Sequence, residues 1–174
     1  MMNLIVTCSR HLEGDTEDEL IDILDELGDS DVKISVSNMS GIIMVETKLD
    51  PIEVVEKMKE RVLDEPWSIR YCLRVIPIQK VVKTNVEEIE KTISIMSDQI
   101  EEKESYRILI EKRNSDISSK EIITKIANEI KNKVSLDFPD KIILIEVLGI
   151  VTGISILKKS HILSLEKTKR SISD

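Results

Sequence analysis

Cys8, Ser9, Arg10 and His11 form the densest run of reactive side chains in this 174-residue sequence. A thiol with an imidazole three residues on could be half of a metal site, or a nucleophile beside its base. Neither arrangement is completed. The remaining cysteine and histidine, Cys72 and His161, lie far along the chain, and no second pair of ligands accompanies them. The plainer reading therefore holds: Cys8 is a strand residue turned into the core and His11 a loop residue in solvent. No glycine-rich nucleotide loop, pyrophosphatase-type loop or paired zinc-ligand motif occurs, and no acid, base and nucleophile set can be assembled. The residues point to no catalytic group, no metal and no cofactor.

Neutralising a polyanion requires only cations, and these are unevenly spread. The net charge of −8 argues against a general polyanion binder. Yet residues 1 to 83 carry 10 Lys and Arg against 17 Asp and Glu, whereas Arg107 to Arg170 carries 13 against 8. An anionic partner is expected to bind the C-terminal half. Arg107, Lys112 and Arg113 lie on or just after one predicted strand; Lys158, Lys159, Lys167, Lys169 and Arg170 follow the last. If those strands are neighbours in one sheet, their basic ends make a single patch; the alternative is ordinary solvated cations. Arg70 and Arg74 alternate along a strand of the first half, where pairing with nearby carboxylates suits them better than extending that patch. The acidic stretch Glu13 to Asp31 reads as a solvated helix face, or as a field that repels a polyanion or docks a basic partner. Aromatics make up 2% of the chain, so a base-stacking platform has little to build with.

The elements that would position these residues follow from periodicity. Asn3 to Cys8 reads as a short buried strand. Thr16 and Glu19 have capping-box spacing ahead of Leu20, Leu24 and Leu27, with Gly28 as the stop. Val32 to Val36 and Ile42 to Thr47 make a hairpin. Asp50 and Pro51 open a helix through Ile52, Val55, Met58 and Val62. A strand with Ile69, Tyr71, Leu73 and Val75 alternating completes a ferredoxin-like βαββαβ unit, four antiparallel strands with two helices on one face. Residues 78 to 83 read as a linker. Thr84 and Glu87 cap a long helix through Ile100, Tyr106 to Lys112 form a strand, and Ser118 and Glu121 cap a helix whose stripe is Ile122, Ile126 and Ile130. Asp137 to Asp140 is a turn before a β-hairpin, Ile142 to Leu148 and Val151 to Leu157, whose apolar face that helix must cover. The second unit is therefore αβαββ, and the fold class α+β. Residues 160 to 174 lose periodicity and are expected to fray.

Three segments of the second unit, YRILIEKRN, SSKEIITKIANEI and KVSLDFPDKIILIEVLGIVTGISIL, together resemble the THUMP domain, an RNA-binding module of tRNA-modifying enzymes. The Val-Ser-Leu-Asp-Phe-Pro-Asp turn is the most specific piece, since THUMP sequences typically show Val-x-Leu-x-x-Pro there. The resemblance covers 84–160 and implies a THUMP domain there, preceded by a ferredoxin-like domain at 1–80; a basic tail follows at 161–174, and the eight cations singled out above by charge and strand position are the RNA-binding candidates. In larger THUMP proteins a catalytic domain follows; here the chain ends about where one would start. The resemblance thus narrows to stand-alone members: a noncatalytic adaptor presenting tRNA to an N4-acetylcytidine acetyltransferase, or to another tRNA-modifying enzyme. The alternative is an interaction or assembly subunit of such a complex with no RNA affinity of its own. Two cysteines in apolar strand patterns, with no signal peptide or membrane-length apolar run, lead to an expectation of reduced thiols, a cytoplasmic location and no membrane partner.

Overall fold

Short β-branched runs alternate with amphipathic helices along the chain, and a computed structural model describes residues 1–173 of it. Two units result: Met1–Ile78 together with the residues from Ser160 on, and Gln79–Lys159. The first begins β1 (Leu4–Thr7), α1 (Glu13–Leu27), β2 (Lys33–Val36), β3 (Ile42–Glu46), α2 (Pro51–Asp64), β4 (Arg74–Pro77). The second runs β5 (Lys80–Lys83), α3 (Val86–Met96), β6 (Tyr106–Arg113), α4 (Ser119–Glu129), β7 (Lys141–Leu148), β8 (Val151–Leu157). The chain then returns to the first unit as β9 (Leu163–Ser164) and α5 (Leu165–Ser173).

In the first unit the strands lie in the order β2-β3-β1-β4-β9, every neighbour antiparallel. The ferredoxin-like arrangement expected from the pattern is therefore present. Leu4, Val6 and Cys8 meet Leu20, Ile23 and Leu24 of α1 and Val54, Val55, Met58 and Val62 of α2 in one aliphatic core. Asp50 caps α2 by accepting from Ile52 N and Glu53 N, and Gly28 ends α1 at φ 115°, the left-handed region that glycine enters freely.

Four local expectations fail in this unit, and distant groups intervene in most of them. Helix α1 starts at Glu13, so Thr16 lies inside it and donates from Oγ1 to Leu12 O. Glu19 serves no cap; its carboxylate accepts from the backbone N–H groups of Arg70, Tyr71 and Cys72 at 2.8–3.1 Å. Those donors are unavailable to a sheet ladder, which confines the expected strand from Ile69 to Arg74–Pro77. Arg70 and Arg74 form no ion pair among the described residues. The C-terminal stretch, expected to fray, is held: β9 pairs with β4, Leu165 N donates to Leu73 O, and Lys169 Nζ donates to Ile69 O at 2.8 Å.

The second unit is a four-stranded sheet in the order β5-β8-β7-β6, with β6 and β7 parallel and the other pairs antiparallel. The supposed linker supplies its edge strand, β5, so the series reads βαβαββ. Ile143, Ile145, Val147, Ile154 and Ile156 of the hairpin pack with Ile89 and Ile93 of α3 and Ile122 and Ile126 of α4. Ser118 caps α4 through Glu121 N as its spacing predicts; α3 is capped one residue later than expected, by Asn85 through Glu88 N. Thr84 instead shares a 2.8 Å hydroxyl contact with Thr152. Cys8 and Cys72 are both buried free thiols, and His11 is exposed in a loop with φ 74°.

Two stability tests follow. Gly41 has φ +76°, and a Cβ there would stand 2.6 Å from Cys8 O. Gly41→Ala is expected to cost about 1–3 kcal/mol, lowering the thermal midpoint by several degrees; an unchanged midpoint would contradict the close approach. Asp29 is buried and accepts from Thr47 Oγ1 at 2.6 Å, Lys48 N at 3.0 Å and Asp31 N at 3.1 Å. Removal from water pushes its carboxyl pKa up, but those hydrogen bonds outweigh the effect and leave it lowered. A lowered folded pKa contributes stability that is present above the unfolded value of about 3.9 and lost as pH falls through the folded one. Asp29→Asn should thus be less stable at neutral pH and lose less on acidification. Parallel pH profiles of the thermal midpoint for the two proteins would refute this.

Candidate nucleic-acid interface

Strand register decides where the cations of the second unit stand. Along β6 and β7 the pairing runs from Tyr106↔Lys141 to Arg113↔Leu148, and across the hairpin Ile142 faces Leu157 while Leu148 faces Val151. The start of β6, the start of β7 and the end of β8 therefore share one end of the sheet. Arg107, Lys158 and Lys159 belong to that end; Lys112 and Arg113 belong to the other, roughly 17–20 Å away at strand rise. The single patch expected from neighbouring strands is not formed. β7 separates β6 from β8, and the two strands run in opposite directions, so their C-terminal ends diverge.

The side chains at the far end are engaged. Lys112 Nζ donates to Ile117 O at 2.9 Å, and Arg113 Nη1 lies 3.1 Å from Oε2 of Glu146, a carboxylate fully buried in the central strand β7. Lys167, Lys169 and Arg170 lie on α5 in the first unit: Lys167 is exposed, Lys169 holds Ile69 O, and Arg170 pairs with Glu166.

Around the shared end the α4–β7 connection adds residues that charge counting along strands overlooks. Lys131 and Lys133 are exposed there, Lys158 and Lys159 are exposed after β8, and Arg107 Nη1 donates to Leu136 O at 3.1 Å. Lys141 is committed to Glu104 at 2.8 Å and to Gln99 O, and the hydrogen bond from Lys141 holds the Glu104 carboxyl below its ordinary value. The connection itself is braced. Val134 bridges to Tyr106 along the free edge of β6, Asn132 Nδ2 donates to Glu101 O and Glu104 O, and Asp140 accepts from Ser105 N at 2.8 Å. Backbone and side-chain donation by Ser105 lowers the Asp140 pKa. Tyr106 is buried, which raises its pKa, and donates to Ile130 O at 3.2 Å. Phe138, by contrast, is 88% exposed. Its signal was in the sequence: the one phenylalanine of the chain stands in a turn between Asp137 and Pro139, where a packing residue has little to pack against.

Chemistry of the cysteine kind is disfavoured by geometry. Burial pushes the Cys8 thiol up and the Cys72 thiol well up, the direction that suppresses thiolate. Among the described residues no helix is long and apolar enough to cross a membrane.

Arg113 is the predicted contact whose structural role is easiest to test. Arg113→Met removes the cationic partner of a buried carboxylate and is expected to cost about 1–3 kcal/mol of stability, read as a lower denaturation midpoint. Adding Glu146→Leu should recover part of that loss. A midpoint unmoved by Arg113→Met would mean the pair contributes nothing.

No curated protein matches the sequence. Among solved structures the chain is similar to PH1313 from Pyrococcus horikoshii Ot3 at TM-score 0.63 and 19% identity, over 91% of this chain and 55% of that one. It is similar to TrmN from Thermus thermophilus at 0.60 and 14%, over 90% and 45%. It is similar also to a 4-thiouridine synthetase in complex with RNA and ATP at 0.57 and 13%, over 94% and 42%. These likenesses establish the fold, and the chain spans about half the length of the structures it matches. Residues 83–157, from the last residue of β5 to the end of β8, match the family model of the THUMP domain, and the second unit carries that domain.

Proposed function

We propose that the chain is a noncatalytic tRNA-binding adaptor that presents tRNA to a base-modifying enzyme, with an N4-acetylcytidine acetyltransferase as the favoured partner. The observation that carries this reading is the THUMP match over residues 83–157, a module whose resemblance implies RNA binding. It sits on a fold shared with a synthetase captured in complex with RNA. Charge supports the same assignment once it is divided by unit. Residues 79–159 hold 14 Lys and Arg against 14 Asp and Glu, so the whole net charge of −8 lies in the first unit. A polyanion meets local charge, because fields at a wet surface decay over about 8 Å at physiological salt. The group at the sheet end, Arg107, Lys131, Lys133, Lys158 and Lys159, is the surface that serves phosphate contact in this reading. Two buried cysteines with raised thiol pKa values suit packing, which agrees with a noncatalytic role.

A second reading has its own support. Helix α1 carries eight Asp and Glu and no Lys or Arg. A protein-interaction subunit without RNA affinity would present such a face to a basic partner.

Titrating the chain with bulk tRNA across a salt series separates the two. Binding at low salt that weakens steeply as salt rises, with a preference for tRNA over duplex RNA, is expected. Lys158→Gln or Lys133→Gln should each weaken binding and reduce the slope of log affinity against log salt by about one unit. Absence of binding at low salt removes the adaptor reading and leaves the interaction subunit. The acetylation step is checked by adding the chain to the acetyltransferase with tRNA. No gain in N4-acetylcytidine would remove that partner while leaving RNA binding intact.

A further inference from the structure

Burying apolar surface drives folding, and aromatic rings are the largest such surfaces a chain owns. This chain has one Phe, one Trp and two Tyr. It nevertheless leaves Phe138 88% exposed, beside Leu136 at 66% and Val134 at 52%. The display is stiff. Phe138 N donates to Ser135 Oγ at 3.2 Å, Ser135 N donates to Tyr106 O at 3.0 Å, and the guanidinium of Arg107 grips Leu136 O two residues before the ring. Two residues after it, Asp140 is tied to Ser105 through three hydrogen bonds. Pro139 fixes φ immediately behind the ring. A backbone held this firmly on both sides of the ring leaves only the ring's own torsions to be ordered when something lands on it.

Its charge surroundings name the kind of partner. Lys131 and Lys133 precede the ring on the same connection, Arg107 braces that connection, and the register brings Lys158 and Lys159 to the same end of the sheet. The acidic groups of this end are Asp137 and Asp140 of the turn, with Asp140 occupied by Ser105, and Glu101, Glu102 and Glu104 of the bracing segment, with Glu104 paired to Lys141. An exposed ring with cations on its own connection and at the same end of the sheet matches an unpaired nucleotide, whose base is a flat π surface and whose phosphates are anionic. A basic protein surface would meet like charge here. We infer that Phe138 is a stacking residue for an unpaired RNA base, with Arg107, Lys131, Lys133, Lys158 and Lys159 taking the flanking phosphates. This inference rests on the RNA-binding reading above and adds to it a preference for single-stranded nucleotides over uniform duplex.

The full-length chain tests it, with bulk tRNA and a blunt RNA duplex as probes, each titrated across a salt series. Phe138→Ala should weaken tRNA binding by about tenfold, within the range measured for single base–aromatic stacks. It should leave duplex binding and the salt slope unchanged, because no phosphate contact is lost. Phe138→Trp should restore tRNA affinity; Phe138→Leu, which keeps apolar area without a π face, should not. The exposed position makes unfolding by these substitutions a minor concern, and the thermal midpoint checks it. Equal tRNA affinity for the parent and Phe138→Ala overturns the inference alone, as does full recovery with Phe138→Leu, which would mark the ring as an apolar docking point. No tRNA binding by the parent chain overturns the RNA reading and this inference with it.

Discussion

Parallel pairing of β6 with β7 is the constraint on which the second unit depends. Parallel strands cannot be joined by a tight turn, so the chain must travel back along the sheet before the second strand begins. Helix α4 is that return, and its buried Ile122 and Ile126 cover the face of the hairpin that follows. Once the eight-residue register is set, the ends are assigned without further choice. The α4–β7 connection must arrive where β6 starts, and β8, antiparallel to β7, must finish there. Cations at the start of β6, in the connection and after β8 are thereby gathered, although about fifty residues separate the first from the last. Lys112 and Arg113, close to Arg107 in sequence, are carried to the opposite end by the same rule.

Irregular segments in this protein are held by polar side chains reaching from far away in sequence. Glu19 accepts three backbone N–H groups of residues 70–72, Asp29 accepts from residues 47 and 48, and Asn132 and Asp140 close onto the segment 101–105. Most of these contacts satisfy backbone groups that a helix or ladder would otherwise have used. Such contacts also stiffen the segment, and Glu19, fixed on helix α1, cannot follow a wandering loop. An exposed loop can thus be ordered without being packed, and order of this kind is what a binding loop needs.

Legibility in the sequence followed the range of the interactions. The hairpin was readable to within a residue because alternation and the Gly149 turn are local, and Asp50 and Ser118 were readable as caps because a cap acts over three residues. Glu19 was misread because its partners lie some fifty residues on, which no spacing rule reaches. Strand β5 was read as a linker because its four residues, two exposed and two half-buried, gain their order from β8, about seventy residues later. Helix α5 looked frayed since only Leu165 and Thr168 are buried in it, too few for a periodic signal. The proposed interface was half legible. Residue types and the turn motif drew attention to this region, while the end of the sheet at which each cation lies required the register.

In the RNA-binding reading, cations already held by other groups set the terms of affinity. Phosphate neutralisation alone gives affinity that falls steeply with salt, and in the second unit several cations are already spent: Arg113 on Glu146, Lys141 on Glu104, Lys112 on Ile117 O. Stacking on an aromatic face has a different dependence, because no counterion is released when a base lies on a ring. A chain that is neutral in its second unit and acidic in its first gains more from one exposed ring than a strongly basic protein would. In the inferred role, the ring's contribution would persist at the salt where charge contacts fade, and it would reward an unpaired base over a duplex. The scarcity of aromatics in the core and the exposure of Phe138 outside it are therefore compatible parts of one economy of residues. Aliphatic side chains, with Tyr106 alone of the aromatics, fill the two cores, and Phe138 is left at the surface, where the inferred stacking would use its face.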